Sequence, residues 1–449
     1  MSSTTPYRLP AAARRTITAS FLGSTFEWFD FGLYGTTAAL VFNSVFFSGA
    51  SPAVGTLLAL TTTAVGFVTR PVGGIIFGHF GDRIGRKRLL VLTMLVMGIP
   101  TLLIGLLPGS SAIGTAAPII LLVLRLLQGI GLGGEYAGAA LATLESVPPE
   151  RRGFFGSIPQ IGNPVGGLLG SALVLITTTV FSDAQFAAWA WRIPFLLSAL
   201  LLVYAIVMRV RLVETGDFSK LRDTRDVSKV PLFSLVRYHW QPLLLGLGAR
   251  IADAVAGNIG GGVVTAYIVT YLHLPNNIAL TGTIIQGLLS IPFMLLMGRL
   301  GDRYGRRRIY LIGLALIGVA AFPLFAFLDT RVYFLMWLGM ALFWLSDVTQ
   351  FSVQSSFLAD IFPTEVRYTA ISLVYQVTAI AGGLTAPAAY AILIATDGSP
   401  WLVALLVVGI AALSFVCALL MRSHVVPGSE VPVRADAKPT DASTEEIAR

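Results

Sequence analysis

Acidic and basic residues that interrupt long apolar runs are the first candidates for chemistry in this sequence. One run contains Glu27, Asp30 and Tyr34, whose spacing of three and four residues places them on one face of a helix. An ionisable side chain inside a membrane span costs about 3 kcal/mol or more and marks a functional site by default. The chemistry available to such residues is ion pairing, proton transfer or the binding of a charged solute.

Three other apolar runs carry charged and amide side chains at helical spacing. These residues are Arg125, Gln128, Glu135 and Tyr136 in one run, Arg250 and Asp253 in the second, and Asp347, Gln350 and Gln354 in the third. A guanidinium binds a carboxylate through two parallel hydrogen bonds, so Arg125 and Arg250 are predicted to bind an anionic substrate. The alternative is pairing within the protein, because charges inside a membrane usually pair with one another. Glu135 and Asp30 are the candidate partners of Arg125, and Asp253 is that of Arg250.

Uncharged polar side chains close to these charges are the remaining predicted substrate contacts. They are Tyr34, Gln128, Tyr136, Gln350 and Gln354, together with Gln160 and Asn163 of a further run. Gln160 and Asn163 accompany Pro164, which predicts a polar kink in that run. We expect the amides of this kink to bind hydroxyl groups of a substrate.

A carboxylate inside an apolar run can bind and release a proton as its surroundings change, and proton-coupled transport would need such a group. The candidates for this role are Glu27, Asp30, Glu135, Asp253 and Asp347. Asp30 and Glu135 are the preferred ones, because both lie midway along their runs. The alternative for each is a structural carboxylate hydrogen-bonded to a neighbouring helix.

The composition places the whole chain in the membrane class. Its 449 residues are 55% hydrophobic and only 12% charged, with a mean hydropathy of +0.78. Soluble globular proteins carry about 25% charged residues. The single cysteine excludes an intrachain disulfide, and the four histidines show no metal-ligand spacing. With no nucleophile and base set and no phosphate-binding loop in a suitable place, we predict neither an enzyme nor a cofactor.

The apolar runs predict twelve membrane-spanning helices, since a span needs about 20 apolar residues. Their approximate bounds are 17–46, 53–79, 89–107, 117–146, 154–180, 190–213, 241–271, 278–299, 309–328, 331–360, 369–395 and 400–422. The longest polar stretch inside the chain separates the first six helices from the last six. The predicted domains are an N-terminal tail over 1–16, a six-helix bundle over 17–213, a linker over 214–240, a second bundle over 241–422 and a disordered tail over 423–449.

Two polar motifs recur half a chain apart and indicate an internal duplication. The glycine-rich basic stretch from Gly78 to Arg88 recurs from Gly298 to Arg308. A pattern of acid, proline, glutamate and arginine begins at Glu145 and recurs from Asp360. Both motifs return at nearly the same offset, which predicts two related halves.

Arginine and lysine are concentrated in alternate loops. These basic residues are Arg83, Arg86, Lys87, Arg88, Arg151, Arg152, Arg303, Arg306, Arg307, Arg308 and Arg367, whereas the other loops hold only Arg331. Such an excess marks the cytoplasmic side of a membrane protein. We therefore expect a multi-pass protein of the cell (inner) membrane with both termini in the cytoplasm. The net charge of +8 follows from this topology, so no nucleic-acid partner is predicted.

The repeated loop, Gly-x-x-Gly-Asp-Arg-x-Gly-Arg-Lys/Arg, resembles the signature of the major facilitator superfamily. Within that superfamily, four regions resemble the metabolite:proton symporters, which carry shikimate, citrate, 2-oxoglutarate and proline or betaine. These regions are Phe26 to Tyr34, Arg70 to Gly74, Gln128 to Tyr136 and Trp191 to Phe195. The resemblance implies an all-α polytopic fold of two pseudo-symmetric six-helix bundles, with helices 1, 4, 7 and 10 around a central cavity that binds substrate near the midplane.

The resemblance also implies that the basic loops form a latch on the cytoplasmic side. The residues it assigns to this cytoplasmic gate are Gly78, Asp82, Arg83, Gly85, Arg86, Asp302, Arg303 and Arg306. The two aspartates are expected to accept backbone N–H groups or to pair with arginines at neighbouring helix ends. The alternative is that the arginines only fix the topology.

The leading functional hypothesis is a secondary carrier that symports protons with a small organic acid, either shikimate-like or a di- or tricarboxylate. A zwitterionic osmolyte carrier for proline or betaine is the first alternative, and its osmosensing branch is disfavoured because the polar tail has no heptads. A sugar porter, a membrane enzyme and a non-transporting sensor are weaker alternatives. The expected partners are a small organic anion, a proton and the lipid bilayer, and we expect a monomer.

Overall fold

The computed structural model of this chain describes residues 9–49, 58, 61–62, 65–77, 86–133, 135–210, 231–364 and 366–421. In these ranges all regular secondary structure is helical. The all-helical architecture predicted from the apolar runs is therefore confirmed. Residues 1–8 and 422–449, most of the predicted linker and residues 78–85 of the first basic stretch, with Gly78, Asp82, Arg83 and Gly85, lie outside the described residues. The predicted domain boundaries stay a prediction.

The first half of the chain contributes helices α1 to α6. Their bounds are Ala11–Thr37 for α1, which continues through a π-helical turn, Ala38–Phe42, to Asn43–Phe46; Val65–Phe77 for α2; Arg86–Leu106 for α3; Ala116–Gly133 and Glu135–Glu145 for α4; Arg152–Val180 for α5; and Arg192–Val210 for α6.

The second half contributes helices α7 to α12, after a short amphipathic helix at Pro231–Tyr238. Their bounds are Trp240–Tyr271 for α7, Asn276–Tyr304 for α8, Arg306–Asp329 for α9, Tyr333–Ala359 for α10, Arg367–Ala395 for α11 and Trp401–Leu420 for α12. Within the described residues, nine helices of the chain are long and apolar enough to cross a membrane. The helices that do not meet this requirement are α1, which carries two acids, and the described parts of α2 and α3.

The second copy of the basic loop is mostly helix, whereas the sequence predicted a loop between spans ending near 299 and beginning near 309. α8 continues to Tyr304 and α9 begins at Arg306, so Gly305 alone separates them. Gly305 has a φ of 98°, which favours a residue without a Cβ atom. Arginine is a good helix former, so Arg299 and Arg303 favour the extension of α8 beyond the apolar run.

Equivalent helices pack in the same way in the two halves, as a duplicated chain requires. α1 packs on α5 as α7 packs on α11, α3 packs on α6 as α9 packs on α12, and α3 packs on α4 as α9 packs on α10. The halves meet chiefly where α5 packs on α8 and α10. We call the end of the molecule that carries Arg151, Arg306 and Arg367 the basic end.

The contact between α1 and α5 is close because glycines line it at every fourth position. A Cβ atom at Gly162, Gly166 or Gly170 would lie within 2.7 Å of a backbone or Cβ atom of α1. Small residues at this spacing let two membrane helices approach to backbone contact. The contact holds the face of α1 that carries Glu27 and Asp30 in a fixed position in the first bundle.

Two adjacent glycines of α5 test this packing. A Cβ atom at Gly166 would lie 2.2 Å from the carbonyl oxygen of Thr25, whereas one at Gly167 meets no atom within 4 Å. We expect Gly166→Ala to lower the free energy of unfolding by about 1–3 kcal/mol through overpacking. Gly167→Ala should leave it unchanged or raise it by up to about 1 kcal/mol, because alanine is the better helix former. Unfolding of the two purified variants in detergent measures the difference, and equal stabilities would contradict the proposed contact.

Candidate functional site

A cavity of about 150 Å³ lies between the two bundles. Its lining comes from α1, α2 and α5 of the first bundle and from α7, α8, α10 and α11 of the second. The lining residues are Trp28, Phe31, Phe67, Arg70, Asn163, Pro164, Arg250, Asp253, Ala254, Gly257, Asn258, Met294, Trp344, Asp347, Val348, Phe351, Tyr375, Ala379 and Gly382. Among the described residues, α1, α7 and α10 line this space as expected, but no residue of α4 does.

Arg250 is the most extensively bonded charge of the cavity. Its Nη2 atom lies 2.8 Å from the Asp253 carboxylate, and its Nη1 atom donates to the backbone oxygen of Tyr375 at 3.0 Å. Nη1 also donates to the hydroxyl of Thr378, and Nε donates to Oε1 of Gln354 at 3.3 Å. The guanidinium stacks over the ring of Tyr375 at 3.7 Å from its centre. These contacts fix the plane of the guanidinium, which is what bidentate recognition of a carboxylate requires.

Two carboxylates of the second bundle share one amide donor. Nε2 of Gln350 lies 3.0 Å from Oδ1 of Asp253 and 3.0 Å from Oδ1 of Asp347. Both aspartates line the cavity and are buried. Arg250 pairs with Asp253, so Asp347 is a second carboxyl group in the cavity wall, which this arginine does not contact directly.

Arg70 is the cationic group that the first bundle contributes to the cavity. It is buried, lies 3.9 Å from Oε1 of Glu27 and covers the ring of Phe67 at 4.6 Å. Its Nε atom has no hydrogen-bond partner among the described residues. The sequence-based choice of site residues missed Arg70. The signal was present, because this arginine interrupts the apolar run of the second predicted helix just as Arg125 interrupts that of the fourth.

Asp30 and Arg125 form a separate buried cluster inside the first bundle. Nη1 of Arg125 lies 3.9 Å from Oδ2 of Asp30, and both side chains are about 1% exposed. Gln128 joins them, since it donates to Asp30 at 3.1 Å and accepts from Arg125 at 3.1 Å. The hydroxyl of Thr101 also donates to Asp30. The pairing alternative considered for Arg125 is thus the contact observed, and Arg125 does not line the cavity.

Tyr34 closes this cluster on its other side. Arg125 lies over its ring at 3.9 Å, and its hydroxyl donates to Thr62 at 2.7 Å. Tyr34 and Gln128, both predicted substrate contacts, therefore bind the buried charge pair and not the cavity wall. The side chain of Glu135, the other preferred proton carrier, lies outside what the structure describes.

Tyr136 and Gln160 link the first bundle to the second. Gln160 donates to the Tyr136 hydroxyl at 2.9 Å, and this hydroxyl donates to Oε1 of Gln354 at 3.3 Å. Oε1 of Gln354 is the same atom that accepts from Arg250. The rings of Tyr136 and Tyr375 stack at 3.6 Å across the interface. A hydrogen-bonded path thus connects Arg250 in the cavity with the contact between the bundles.

Asp302 of α8 joins the two bundles at the basic end. Its carboxylate accepts the backbone N–H groups of Gly153 at 2.6 Å and of Phe154 at 2.8 Å, at the first turn of α5. A helix N-terminus favours a negative charge because its N–H groups lack partners within the helix. The predicted acceptance of backbone N–H groups by Asp302 is therefore the contact observed.

Arg306 adds a second connection at this end. It donates to Asp360 of its own bundle at 2.6 Å and to the backbone oxygen of Pro149 in the first bundle. Arg303 is exposed and lies over the neighbouring ring of Tyr304 at 5.2 Å. Arg86 begins α3, and its side chain is outside the described part. These contacts connect the two bundles at the basic end.

Comparison with known proteins gives two family matches that together span most of the chain. The Sugar (and other) transporter family matches residues 16–229, and the Major Facilitator Superfamily matches residues 245–448. The shikimate transporter of Escherichia coli (strain K12) is 38% identical, over 91% of this chain and 94% of its own length. The proline/betaine transporter of the same strain is 35% identical, over 83% and 76%. The inner membrane metabolite transport protein YhjE is 38% identical, over 83% and 86%.

Among solved structures, the proton:xylose symporter XylE bound to 6-bromo-6-deoxy-D-glucose has the same fold. It matches with a TM-score of 0.74 over 91% of this chain and 95% of its own, at 18% sequence identity. At this level of identity the likeness concerns the fold alone. It agrees with the duplicated packing of α1 to α6 and α7 to α12.

Asp302 provides a test of the closure at the basic end. Asp302→Asn leaves one acceptor oxygen for two N–H donors and removes the charge. Loss of a charge-assisted hydrogen bond costs about 1.5–3 kcal/mol, so the opening equilibrium should increase about tenfold or more. The readout is the rate at which Ser157→Cys, buried between α5 and α8, reacts with a maleimide in a Cys417→Ser background.

Asp329→Asn is the matched control, because Asp329 accepts the Tyr267 hydroxyl at 2.6 Å within the second bundle. It should leave the labelling rate of the introduced cysteine unchanged. Equal rates in the Asp302→Asn and Asp329→Asn variants would show that Asp302 does not close this end.

Proposed function

This chain belongs to the major facilitator superfamily, in the group that contains the shikimate and proline/betaine transporters, and we propose that it symports a proton with a small organic acid. It is a multi-pass membrane transporter and not an enzyme, as predicted. The predicted fold of two six-helix bundles is likewise confirmed. We propose the organic acid as the substrate, the proton as the coupling ion and symport as the direction of coupling.

The observation that carries the proposal is that arginines from both bundles line one cavity. The guanidinium of Arg250 stacks on the ring of Tyr375. The buried Nε donor of Arg70 has no partner in the described part of the chain. Both arginines line the cavity. A buried donor without a partner costs about 1–3 kcal/mol, which a bound carboxylate would recover. The 38% identity to a shikimate transporter supports a carboxylate-bearing substrate.

Arg250 then exchanges partners when substrate binds. Asp253 pairs with Arg250 at 2.8 Å. A substrate carboxylate competes for the same donors, while Gln350 keeps Asp253 hydrogen-bonded. Because Arg250 also donates to Gln354, which accepts from Tyr136, a shift of Arg250 reaches the contact between the bundles. This chain of contacts gives binding a route to the rearrangement that exposes the site alternately on the two sides of the membrane.

The proton is carried, in this proposal, by Asp30. Asp30 is buried, lies 3.9 Å from Arg125 and accepts hydrogen bonds from Gln128 and Thr101. A buried carboxylate stays ionised only while its partners remain in place, so a displacement of Arg125 relative to Asp30 would favour protonation. The cluster lies behind the cavity wall, which keeps the proton site separate from the substrate site. Glu27, Asp253, Asp347 and Glu135 stay candidates for further protonation.

The topology follows from the positive charge of the basic end. An excess of arginine marks the cytoplasmic side, so we propose that both termini lie in the cytoplasm. Closure of the basic end then corresponds to a carrier that is shut toward the cytoplasm. We propose that the transporter acts as a monomer.

A zwitterionic osmolyte is the alternative substrate, and the aromatic lining favours it. The rings of Trp28, Phe31, Phe67, Trp344, Phe351 and Tyr375 line the cavity. Aromatic faces bind quaternary ammonium groups, and Asp347 would add a negative charge for such a cation. The 35% identity to a proline/betaine transporter supports this reading.

Uptake into liposomes tests the proposal. Purified protein is reconstituted, an inward proton gradient is imposed, and labelled shikimate, citrate, 2-oxoglutarate, betaine and xylose are offered in turn. We expect one of the acids to accumulate above equilibrium and a protonophore to abolish the accumulation. Accumulation of betaine alone would favour the osmolyte carrier, and accumulation that ignores the proton gradient would contradict symport.

Arg250→Lys tests the arginine contact in the same assay. Lysine keeps the charge beside Asp253 and loses the planar pair of donors. The KM for the acid should rise about tenfold, because a charge-assisted hydrogen bond contributes about 1.5–3 kcal/mol. Arg331→Lys, at an exposed position of the opposite end, is the control. An unchanged KM in the Arg250 variant would remove this residue from the binding site.

A further inference from the structure

A second, larger cleft opens at the basic end, on the outside of the contact between α5 and α8. Its volume is about 450 Å³. The lining residues are Glu150, Arg151, Phe154, Phe155, Arg299, Asp302 and Arg303. Three of the seven are arginines, one from the first bundle and two from the second. The cleft is remote from the central cavity, with which it shares no lining residue.

Asp302, one of the two acids of the cleft, already has partners other than Arg299 and Arg303. Asp302 is already engaged by the N–H groups of Gly153 and Phe154 and lies 3.8 Å from Arg306. Among the described residues, no carboxylate lies within ion-pair distance of Arg299 or Arg303. Arg299 is held over the ring of Phe154 at 4.7 Å. The cleft therefore presents positioned guanidinium groups to an external anion.

The position of the cleft along α8 indicates where that anion comes from. Exposed side chains follow one stripe of this helix at Leu280, Ile284, Leu288, Pro292, Leu296, Arg299 and Arg303. The stripe is apolar up to Leu296 and basic from Arg299. At 1.5 Å per residue the helix rises about 28 Å between Leu280 and Arg299. This length matches the hydrocarbon thickness of a bilayer, about 30 Å, so both arginines reach the level of the lipid headgroups.

We propose that this cleft binds the phosphate of an anionic membrane lipid. Arg151, Arg299 and Arg303 contact the headgroup, and the acyl chains follow the apolar stripe of α8. Basic pockets between membrane helices bind anionic headgroups in this way. The phenylalanines at the base of the cleft favour a lipid over a soluble phosphate, because they offer apolar surface beside the charges.

The bound lipid stabilises closure of the basic end. Arg151 precedes α5 and moves with the first bundle, whereas Arg299 and Arg303 move with the second. A ligand that contacts both bundles binds the closed arrangement more tightly than an open one and shifts the equilibrium toward it. Arg303 is a predicted gate residue with no described contact to the other bundle. It contributes to closure through the bound lipid.

Thermal unfolding of the purified chain in neutral detergent tests the site. The protein is titrated with short-chain phosphatidylglycerol, with short-chain phosphatidylcholine and with inorganic phosphate. We expect phosphatidylglycerol to raise the Tm and the other two to leave it unchanged. The Arg299→Gln/Arg303→Gln variant should bind phosphatidylglycerol about 30-fold more weakly, which corresponds to about 2 kcal/mol. Each single variant should lose about fivefold, which keeps the test open should the double variant prove unstable.

Arg307→Gln/Arg308→Gln is the matched control, because both residues are exposed at the same end and neither lines the cleft. It removes the same charge and should keep the wild-type response. An equal loss in the control would show that the effect is diffuse surface charge. A wild-type response of the Arg299 and Arg303 variants would overturn the site. An equal response to inorganic phosphate would overturn the lipid as its ligand, and an equal response to phosphatidylcholine would overturn the requirement for an anion.

Discussion

The interior of a membrane protein must neutralise its own charges, because the surrounding hydrocarbon offers them no water. Within the described residues, three pairs of an arginine and an acid in the helix interior meet this requirement. They are Arg70 with Glu27, Arg125 with Asp30, and Arg250 with Asp253. Each pair fixes the positions of its two side chains. A side chain can leave its pair only if another charge takes its place. Transport of an acid with a proton meets this condition, since the acid supplies a negative charge and the proton a positive one.

The pairs depend on helix contacts that leave little freedom. Glycines bring α5 against α1, and thereby hold the acids of α1 within reach of Arg70 and Arg125. The second bundle places Arg250 against Tyr375 and Gln354, both of which also contact Tyr136 of the first bundle. At the basic end, Asp302 of α8 accepts a backbone N–H group from the first turn of α5. Substrate site and closure are thus connected by side chains that touch, which is the physical basis for a change at one reaching the other.

The membrane class, the helices, the duplication and the identity of the charged helices could be predicted from the sequence. Apolar length and arginine bias, on which these predictions depend, are local properties. Helical spacing correctly placed Glu27 and Asp30 on one face. Helical spacing does not show which neighbouring helix that face contacts. Arg125 is therefore expected to line the cavity, but it lies behind the cavity wall. Arg70 was overlooked although its burial follows the same rule. The link from Gln160 through Tyr136 to Gln354 joins residues far apart in the chain, and no local pattern encodes it.

The central claim is that the proton and the acid use separate charge pairs, Asp30 with Arg125 and Arg250 with Asp253. Asp30→Asn tests it most directly, measured as uptake driven by a proton gradient and as exchange counterflow of the same acid in the same liposomes. The account predicts that gradient-driven accumulation is lost while counterflow continues near the wild-type rate, because the amide cannot exchange a proton but the substrate arginine is intact. Gradient-driven accumulation at the wild-type level would contradict it.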